Sequence, residues 1–464
     1  MKGRSRRWAL VLGPVLSVAV HVALRQGLGL PLPAASCGAI TTLCAVWWVT
    51  EPIHIAATSL IPFAAFPLLG VLDHNAVATA YGHTLILLLL GGFILSTAME
   101  KSGAHRRLAL GMVRAVGGQG GRRLVFGFMI AAAGLSMWIS NTATVLMLLP
   151  VAMAVLEQVD DPELPRPLLL GTAFASSVGG IGTPVGTPPN VILMGVYQAQ
   201  TGREIAFVDW MKIGVPVVVV FLPLMWLWLT RHLGKGSTPL DLPKPGPWRP
   251  AEVRVLVVFG LTALAWITRT EPRGGWSALI GAKGTGDATV ALAAVVTLFL
   301  IGDGEGKGKA LLDWETASRI PWGLLTLFGG GIAIARGFGD SGLSAALGQT
   351  LSGLATWPVL AMLLVIALAV TFLTEVTSNT ATTSLLMPVL AAAAAAAAVD
   401  PLLLMVPAAI SASCAFMLPV ATAPNAIVFG TERFTTREMA REGFVLNLIG
   451  AVIVTAVCYF ALPH

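Results

Sequence analysis

Charge is what this sequence has least of. Of its 464 residues only 11% are Asp, Glu, Lys or Arg, where a soluble domain carries roughly 25%. Hydrophobic residues make up 56%, and mean hydropathy is +0.81. So little polar surface on so long a chain excludes soluble enzymes and nucleic-acid binders, and makes the lipid bilayer the solvent for most of the molecule. Cysteine is scarce too. Cys37, Cys44, Cys414 and Cys458 are scattered between apolar neighbours with no CxxC, so they read as small buried hydrophobes rather than disulfide or metal partners.

What is abundant is apolar length and helix-breaking residues. A spanning helix takes about 20 apolar residues, which leaves room for roughly ten or more. The 50 Gly and 29 Pro are many for a plain helical bundle, and broken helices at membrane depth line cavities. Apolar spans fall near 8–24, 33–50, 52–71, 84–99, 124–156, 167–199, 213–230, 255–267, 288–301, 321–335, 355–399, 401–430 and 443–462. Stretches 124–156, 167–199 and 355–399 are too long for one crossing, and 401–430 holds a Pro-rich break. With the N-terminus cytoplasmic and 124–156 and 355–399 read as re-entrant hairpins, 22 of the 29 Lys and Arg fall on the cytoplasmic side. That is a positive-inside pattern, so the net charge of +6 is an orientation signal rather than a nucleic-acid patch. The expected fold is an all-α integral membrane protein of about eleven crossings plus two hairpins, with the C-terminus outside. Residues 1–32 form an uncleaved N-terminal helix, since no convincing small-x-small cleavage site precedes Arg25.

The two halves resemble each other. Ser140-Asn141-Thr142 recurs as Ser378-Asn379-Thr380. Gly186-Thr187-Pro188-Pro189-Asn190 recurs, at nearly the same offset, as Ala421-Thr422-Ala423-Pro424-Asn425. Gly91-Gly92 is echoed at Gly329-Gly330, and Trp48-Val49-Thr50-Glu51 loosely around Trp266 to Glu271. The repeats span 33–231 and 251–464 with a cytoplasmic linker, 232–250, between them. By the topology above they are inverted, the usual architecture of a secondary transporter with its site at the midplane.

Each half supplies a hairpin with Ser-Asn-Thr at its centre, 124–156 or 355–399, and a broken helix, 167–199 or 401–430. A hydroxyl–amide–hydroxyl triplet offers neutral donors and acceptors together, and the following helix N-terminus adds free N–H groups and a positive dipole end. That suits a carboxylate or a sulfate. The exposed carbonyls of the break suit Na⁺. Two facing sites suit an anion with two charged ends, its charge balanced by a bound cation. The alternative, polar side chains gluing helices together, fits one triplet better than two at a repeat shift. The run Gly179 to Gly186 lacks GxGxxG spacing, a preceding strand and a Walker Lys, so it reads as an unwound helix rather than a phosphate loop.

These motifs resemble the divalent anion–sodium symporter family, the Na⁺-coupled carriers of dicarboxylates, citrate and sulfate. The resemblance covers nearly the whole chain: Trp47-Trp48-Val49-Thr50-Glu51-Pro52 with Ile53-His54, the basic loop after Gly91-Gly92, both Ser-Asn-Thr motifs, both Pro-Asn breaks, and Ser413 to Thr422. It implies a homodimer of eleven-helix protomers in the bacterial inner membrane, each with a scaffold domain and an elevator-like transport domain interleaved in sequence. By position, Ser140, Asn141, Thr142, Ser378, Asn379 and Thr380 would hold substrate carboxylates, bordered by Thr187, Pro188 and Thr422. A first Na⁺ would sit by Ser136, Ser140, Asn141 and Gly186, and a second by Thr374, Ser378, Asn379 and Ala421. The chain departs from the family's frequent Pro-Pro-Asn at Ala423. The family also contains exchangers that use no Na⁺.

The expected function is therefore Na⁺-coupled import of C4-dicarboxylates such as succinate, malate and fumarate. The alternatives are a Na⁺-independent dicarboxylate exchanger, or a Na⁺-coupled citrate or sulfate carrier. Partners are a small dianion, the lipid bilayer and a second copy of the chain, with no nucleic acid and no organic cofactor. Among lone candidates, Glu375 is the only charge in 355–399. An intramembrane carboxylate is a functional candidate, either tuning the second cation site or hydrogen-bonding within the hairpin, the structural role being favoured. His54 reads as a satisfied interfacial His rather than a proton relay, and Ala391 to Ala398 as closely packed helix. An enzyme is not expected. Gly337-Phe338-Gly339-Asp340 matches the GxGD of intramembrane aspartyl proteases, but no Tyr-Asp, HExxH or GxSxG accompanies it. A channel fits two broken-helix repeats less well than alternating access does.

Overall fold

The computed structural model describes residues 3–463 apart from 118–119, 160, 235–245, 273, 283, 307 and 352–356. Most of the linker 232–250 and the first residues of the stretch 355–399 thus lie outside the described residues. So do Lys2, Lys235, Lys244, Arg273, Lys283 and Lys307, which enter the charge count above. Among the described residues the structure is helical throughout, with only an isolated bridge between Gly302 and Ala310.

The helices begin and end where the sequence offers caps and breakers. Pro stands in the first turn of Leu32–Thr50, Pro165–Gly180, Pro188–Thr201, Pro250–Ile267 and Pro401–Ala412, where its missing N–H costs nothing. Asp73, Asp400 and Thr435 cap helices that follow them. Among the described residues seven helical segments are long and apolar enough to cross a bilayer unaided: Arg6–Gly27, Leu32–Thr50, His74–Ser102 (two helices parted at Gly82-His83), Phe207–Leu229, Pro250–Ile267, Asn379–Ala396 and Thr436–Ala461. Others, such as Asn141–Leu156, Asp287–Leu300 and Val359–Thr374, are 14 to 16 residues long. At about 1.5 Å per residue they fall short of a roughly 30 Å hydrocarbon core.

The long stretches are interrupted. Residues 121–156 form Gly121–Ser136 and Asn141–Leu156, and residues 359–396 form Val359–Thr374 and Asn379–Ala396. Pro165–Gly180 and Pro188–Thr201 flank one unwound segment, and Pro401–Ala412 and Ala423–Phe429 flank another. The stretch 52–71 is not one helix but two short ones, Ile55–Thr58 and Ile61–Leu68, parted at Ser59-Leu60. Five further helices among the described residues, His74–Tyr81, Ala104–Gly117, Gly275–Leu279, Trp314–Ala317 and Leu343–Leu351, lie outside the sequence-derived spans.

Packing brings the pieces together in matched pairs. Gly121–Ser136 lies along Pro165–Gly180, and Val359–Thr374 along Pro401–Ala412. The helix after each break packs on the other half's hairpin: Pro188–Thr201 on Asn379–Ala396, and Ala423–Phe429 on Asn141–Leu156. Thr84–Ser102 packs on Asp287–Leu300, and Trp322–Asp340 on His74–Tyr81. Close approach depends on glycine at Gly179, where a Cβ would strike the Ala133 backbone carbonyl.

Candidate functional site

Both hairpin turns and both helix breaks converge on one cavity of about 750 Å³. It is lined by Ser140, Asn141, Thr142, Ser378, Asn379 and Thr380, by Gly186, Thr187 and Pro188, and by Ala421, Thr422 and Ala423. Apolar side chains, among them Leu89, Phe93, Ile320 and Leu324, complete the lining. Among the lining residues only Glu51, Glu100 and Arg319 carry formal charge, and all three are exposed. Arg319 is paired with Glu315 at 2.6 Å.

Local structure explains the hairpin tips. Ser140 and Ser378 are extended residues at the N-caps of Asn141–Leu156 and Asn379–Ala396, so each Asn-Thr pair opens a helix whose first N–H groups have no partner within the helix. Ser140 Oγ accepts one of them, from Ala143 at 3.2 Å, whereas Ser378 makes no such cap. Ser136 and Thr374 do not line the cavity. Both are fully buried and lie behind the asparagines. Ser136 Oγ donates to Asn141 Oδ1 at 2.5 Å, and Thr374 Oγ1 donates to Asn379 Oδ1 at 2.7 Å. The same contact is thus made once in each repeat, by residues at matching positions. Each places two oxygens side by side beneath a Ser-Asn-Thr tip, a neutral donor set suited to a hard monovalent cation.

Two residues that the sequence presented only as motif landmarks hold the breaks. Asn190 Nδ2 donates to the Gly180 and Thr183 carbonyls at 3.0 and 2.7 Å. Asn425 Nδ2 donates to the Ala415 and Leu418 carbonyls at 3.0 and 3.1 Å. The donor and both acceptors stand at matching positions of the two repeats. Each amide satisfies two carbonyls that unwinding would leave bare in a medium without water. The signal was their place after Thr-Pro-Pro and Thr-Ala-Pro.

Each lone candidate has identifiable partners. Glu375 is 3% exposed. It accepts from the backbone N–H groups of Phe416, Met417 and Leu418 and from Asn447 Nδ2. His54 Nδ1 caps Ile55–Thr58 by accepting from Ala56 at 3.2 Å. Asp340 of the Gly337-Phe338-Gly339-Asp340 sequence lies 3.6 Å from Arg336 one turn before it. The four cysteines are free and buried.

Residues 5–461 match the family model described as the sodium:sulfate symporter transmembrane region. The chain is 42% identical over 476 aligned positions to the sodium-dependent dicarboxylate transporter SdcS of Staphylococcus saprophyticus, covering 98% of this chain and 91% of that one. It is 39% identical, with the same coverage, to SdcS of Staphylococcus aureus. Among solved structures it shares its fold with the YdaH transporter of Alcanivorax borkumensis, at 16% identity and a TM-score of 0.61 over 93% of this chain and 99% of that one. MtrF of Neisseria gonorrhoeae follows at 12% identity and a TM-score of 0.59, over 92% and 94%. These relatives are membrane transporters, not enzymes. The chain belongs to the divalent anion–sodium symporter family of multi-pass membrane transporters.

Proposed function

We propose that this protein imports C4-dicarboxylates such as succinate, malate and fumarate, coupled to Na⁺, by alternating access. The observation that carries this reading is the matched pair of hydroxyl–Asn contacts, Ser136–Asn141 and Thr374–Asn379, beneath two Ser-Asn-Thr tips on one cavity. Each tip presents neutral hydroxyl and amide groups and a helix N-terminus to one carboxylate of the substrate. No basic side chain stands at either tip. The two negative charges are balanced by Na⁺ held behind the tips, the first by Ser136, Ser140, Asn141 and Gly186, the second by Thr374, Ser378, Asn379 and Ala421. Thr187, Pro188 and Thr422 border the substrate. Substrate binding is strong only with Na⁺ in place, and that dependence is the coupling. The SdcS relatives, named as sodium-dependent dicarboxylate transporters, support both the cation and the anion.

The two halves act as inverted repeats, with the hairpins and broken helices moving as an elevator against the remaining helices in each protomer of a homodimer. The N-terminus lies in the cytoplasm of a bacterial cell, and about eleven segments cross its inner membrane. In that orientation the three charged lining residues, Glu51, Glu100 and Arg319, all fall on the cytoplasmic side, so the cavity opens inward and the state is the one that releases substrate.

The test is uptake of labelled succinate by proteoliposomes holding the purified protein, with and without an inward Na⁺ gradient. Uptake that needs Na⁺ and is competed by fumarate and malate is the expected result. Uptake indifferent to Na⁺ but driven by internal dicarboxylate would make the protein an exchanger. Competition by citrate or sulfate instead would reassign the anion.

A further inference from the structure

The two helix breaks solve one problem by different chemistry. In the first half the break is glycine-rich, and the Ile181 and Gly182 N–H groups stay in tight turns, bonded to the Val178 and Gly179 carbonyls. Thr183 Oγ1 donates to the Met137 carbonyl. In the second half the residues matching Ile181, Gly182 and Thr183 are Phe416, Met417 and Leu418, and none of them is glycine. Their N–H groups turn instead to Glu375 at 2.7, 2.9 and 3.0 Å. Glu375 is itself the match of Met137, at the offset that relates the two Ser-Asn-Thr triplets. The same two positions are therefore linked in both halves, by a side-chain hydroxyl in one and by a carboxylate in the other.

A second difference accompanies the first. Gly214 and Gly443 occupy matching places, because a Cβ on either would strike the matching carbonyl, that of Ile181 or of Phe416. Four residues after each glycine stand Val218 and Asn447, which therefore match as well. Asn447, fully buried, donates its amide to Glu375 Oε1 at 2.7 Å. An apolar pair, Met137 and Val218, is thus replaced by a polar pair, Glu375 and Asn447. All four partners of Glu375 are donors, the pattern an ionised carboxylate takes. Among the described residues no Lys, Arg or His lies within salt-bridge distance of it.

The consequence reaches the second cation site. Pro401–Ala412 stops three residues before Ala415, the match of the Gly180 at which the first helix ends. This early stop brings the Ala412 carbonyl to Thr374 Oγ1 at 3.0 Å, and Thr374 Oγ1 in turn holds Asn379 Oδ1. A third oxygen joins the hydroxyl and the amide, and a fixed carboxylate stands one residue behind them. In the first half Ser136 Oγ bonds Asn141 Oδ1 without a comparable backbone carbonyl among the described residues, and Met137 stands where the second half has Glu375.

We propose that Glu375 is a positioning residue that makes the second cation site the tighter of the two. It holds residues 416–418 out of the helix so that the Ala412 carbonyl joins the site, and its charge draws the cation. This rests on the reading of Na⁺ coupling. The experiment titrates Na⁺ against choline on purified wild type and Glu375→Gln, with two readouts: succinate uptake in proteoliposomes and the unfolding midpoint in detergent. Gln keeps the shape and one acceptor but loses the charge. In Glu375→Gln the Na⁺ concentration for half-maximal uptake should rise about tenfold, and the Na⁺-induced rise in unfolding midpoint should need correspondingly more Na⁺. A purely structural role would lower maximal uptake and the Na⁺-free midpoint while leaving both Na⁺ titrations in place, and that result overturns the proposal. If Glu375→Gln does not fold, Glu375→Asp, which keeps the charge but withdraws it by one methylene, must show the same rightward shift; an unshifted titration again overturns it. A wild type that responds to Na⁺ in neither readout would defeat the coupling reading itself, a distinct failure.

Discussion

At the scale of single residues, the cavity depends on two asparagines that each face two ways. Asn141 and Asn379 line the cavity, while their Oδ1 atoms turn back to Ser136 and Thr374. Substituting either by Ala should remove one oxygen from a cation site and one amide from the substrate. With each lost buried partner costing about 1–3 kcal/mol, uptake should fall by roughly 100-fold or more. The variant should still elute as a folded membrane protein, because each substitution removes one side-chain hydrogen bond within a single hairpin; wild-type uptake by either would mean the site is misplaced. Both residues were legible in the sequence because a triplet repeated at a fixed shift needs no coordinates to be noticed. The roles of Asn190 and Asn425 were not. Their partners are carbonyls 7 and 10 residues back, and only the folded break makes those the nearest acceptors. Glu375 was visible as a lone charge, but its donors come from 41 to 72 residues away.

At the scale of elements, length was the most readable quantity. An apolar run too long for one crossing must break, and the breaks fell at the Ser-Asn-Thr, Thr-Pro-Pro and Thr-Ala-Pro segments. The misreadings came where hydropathy and helix boundaries part company. Residues 52–71 carry no Asp, Glu, Lys or Arg, yet Ser59 closes Ile55–Thr58, its Oγ accepting from Trp48 Nε1 and donating to the Ile55 carbonyl. His74–Tyr81 was passed over because it is too polar to read as a span, although Asp73 caps it by accepting from Ala76 at 2.8 Å. The packing of hairpin on broken helix gives a direct test. Gly179→Ala would set a methyl group against the Ala133 backbone, which cannot yield as a side-chain tip can, and should destabilise the protein by about 1–3 kcal/mol. Gly260, inside Pro250–Ile267, has open space around it. Gly260→Ala should be neutral or stabilise by about 0.5–1 kcal/mol. Thermal unfolding of the two variants side by side reads the difference, and equal midpoints would contradict the close contact.

At the scale of the whole molecule, the elevator reading requires the breaks and hairpin tips to slide past Thr84–Ser102. In this structure the two bodies touch at a point fit for locking. A Cβ built on Gly92 would lie 3.3 Å from Val185 Cβ, and a disulfide needs about 3.5–4.5 Å, so a few tenths of an ångström of adjustment suffices. Gly92 belongs to Thr84–Ser102, and Val185 to the first break. The native background is quiet, because Cys37, Cys44, Cys414 and Cys458 are all buried. The double variant Gly92→Cys/Val185→Cys should therefore cross-link under mild oxidation. Its succinate uptake should then fall roughly tenfold or more, since a body tied to its track cannot complete the cycle. Dithiothreitol should restore it, and each single-cysteine variant should transport equally before and after oxidation. The comparison is made within each protein, oxidised against reduced, so any loss from the substitutions themselves cancels. Full cross-linking with undiminished uptake would show that these two elements move together. The sliding surface would then lie elsewhere, and the division into a fixed and a moving body would have to be redrawn.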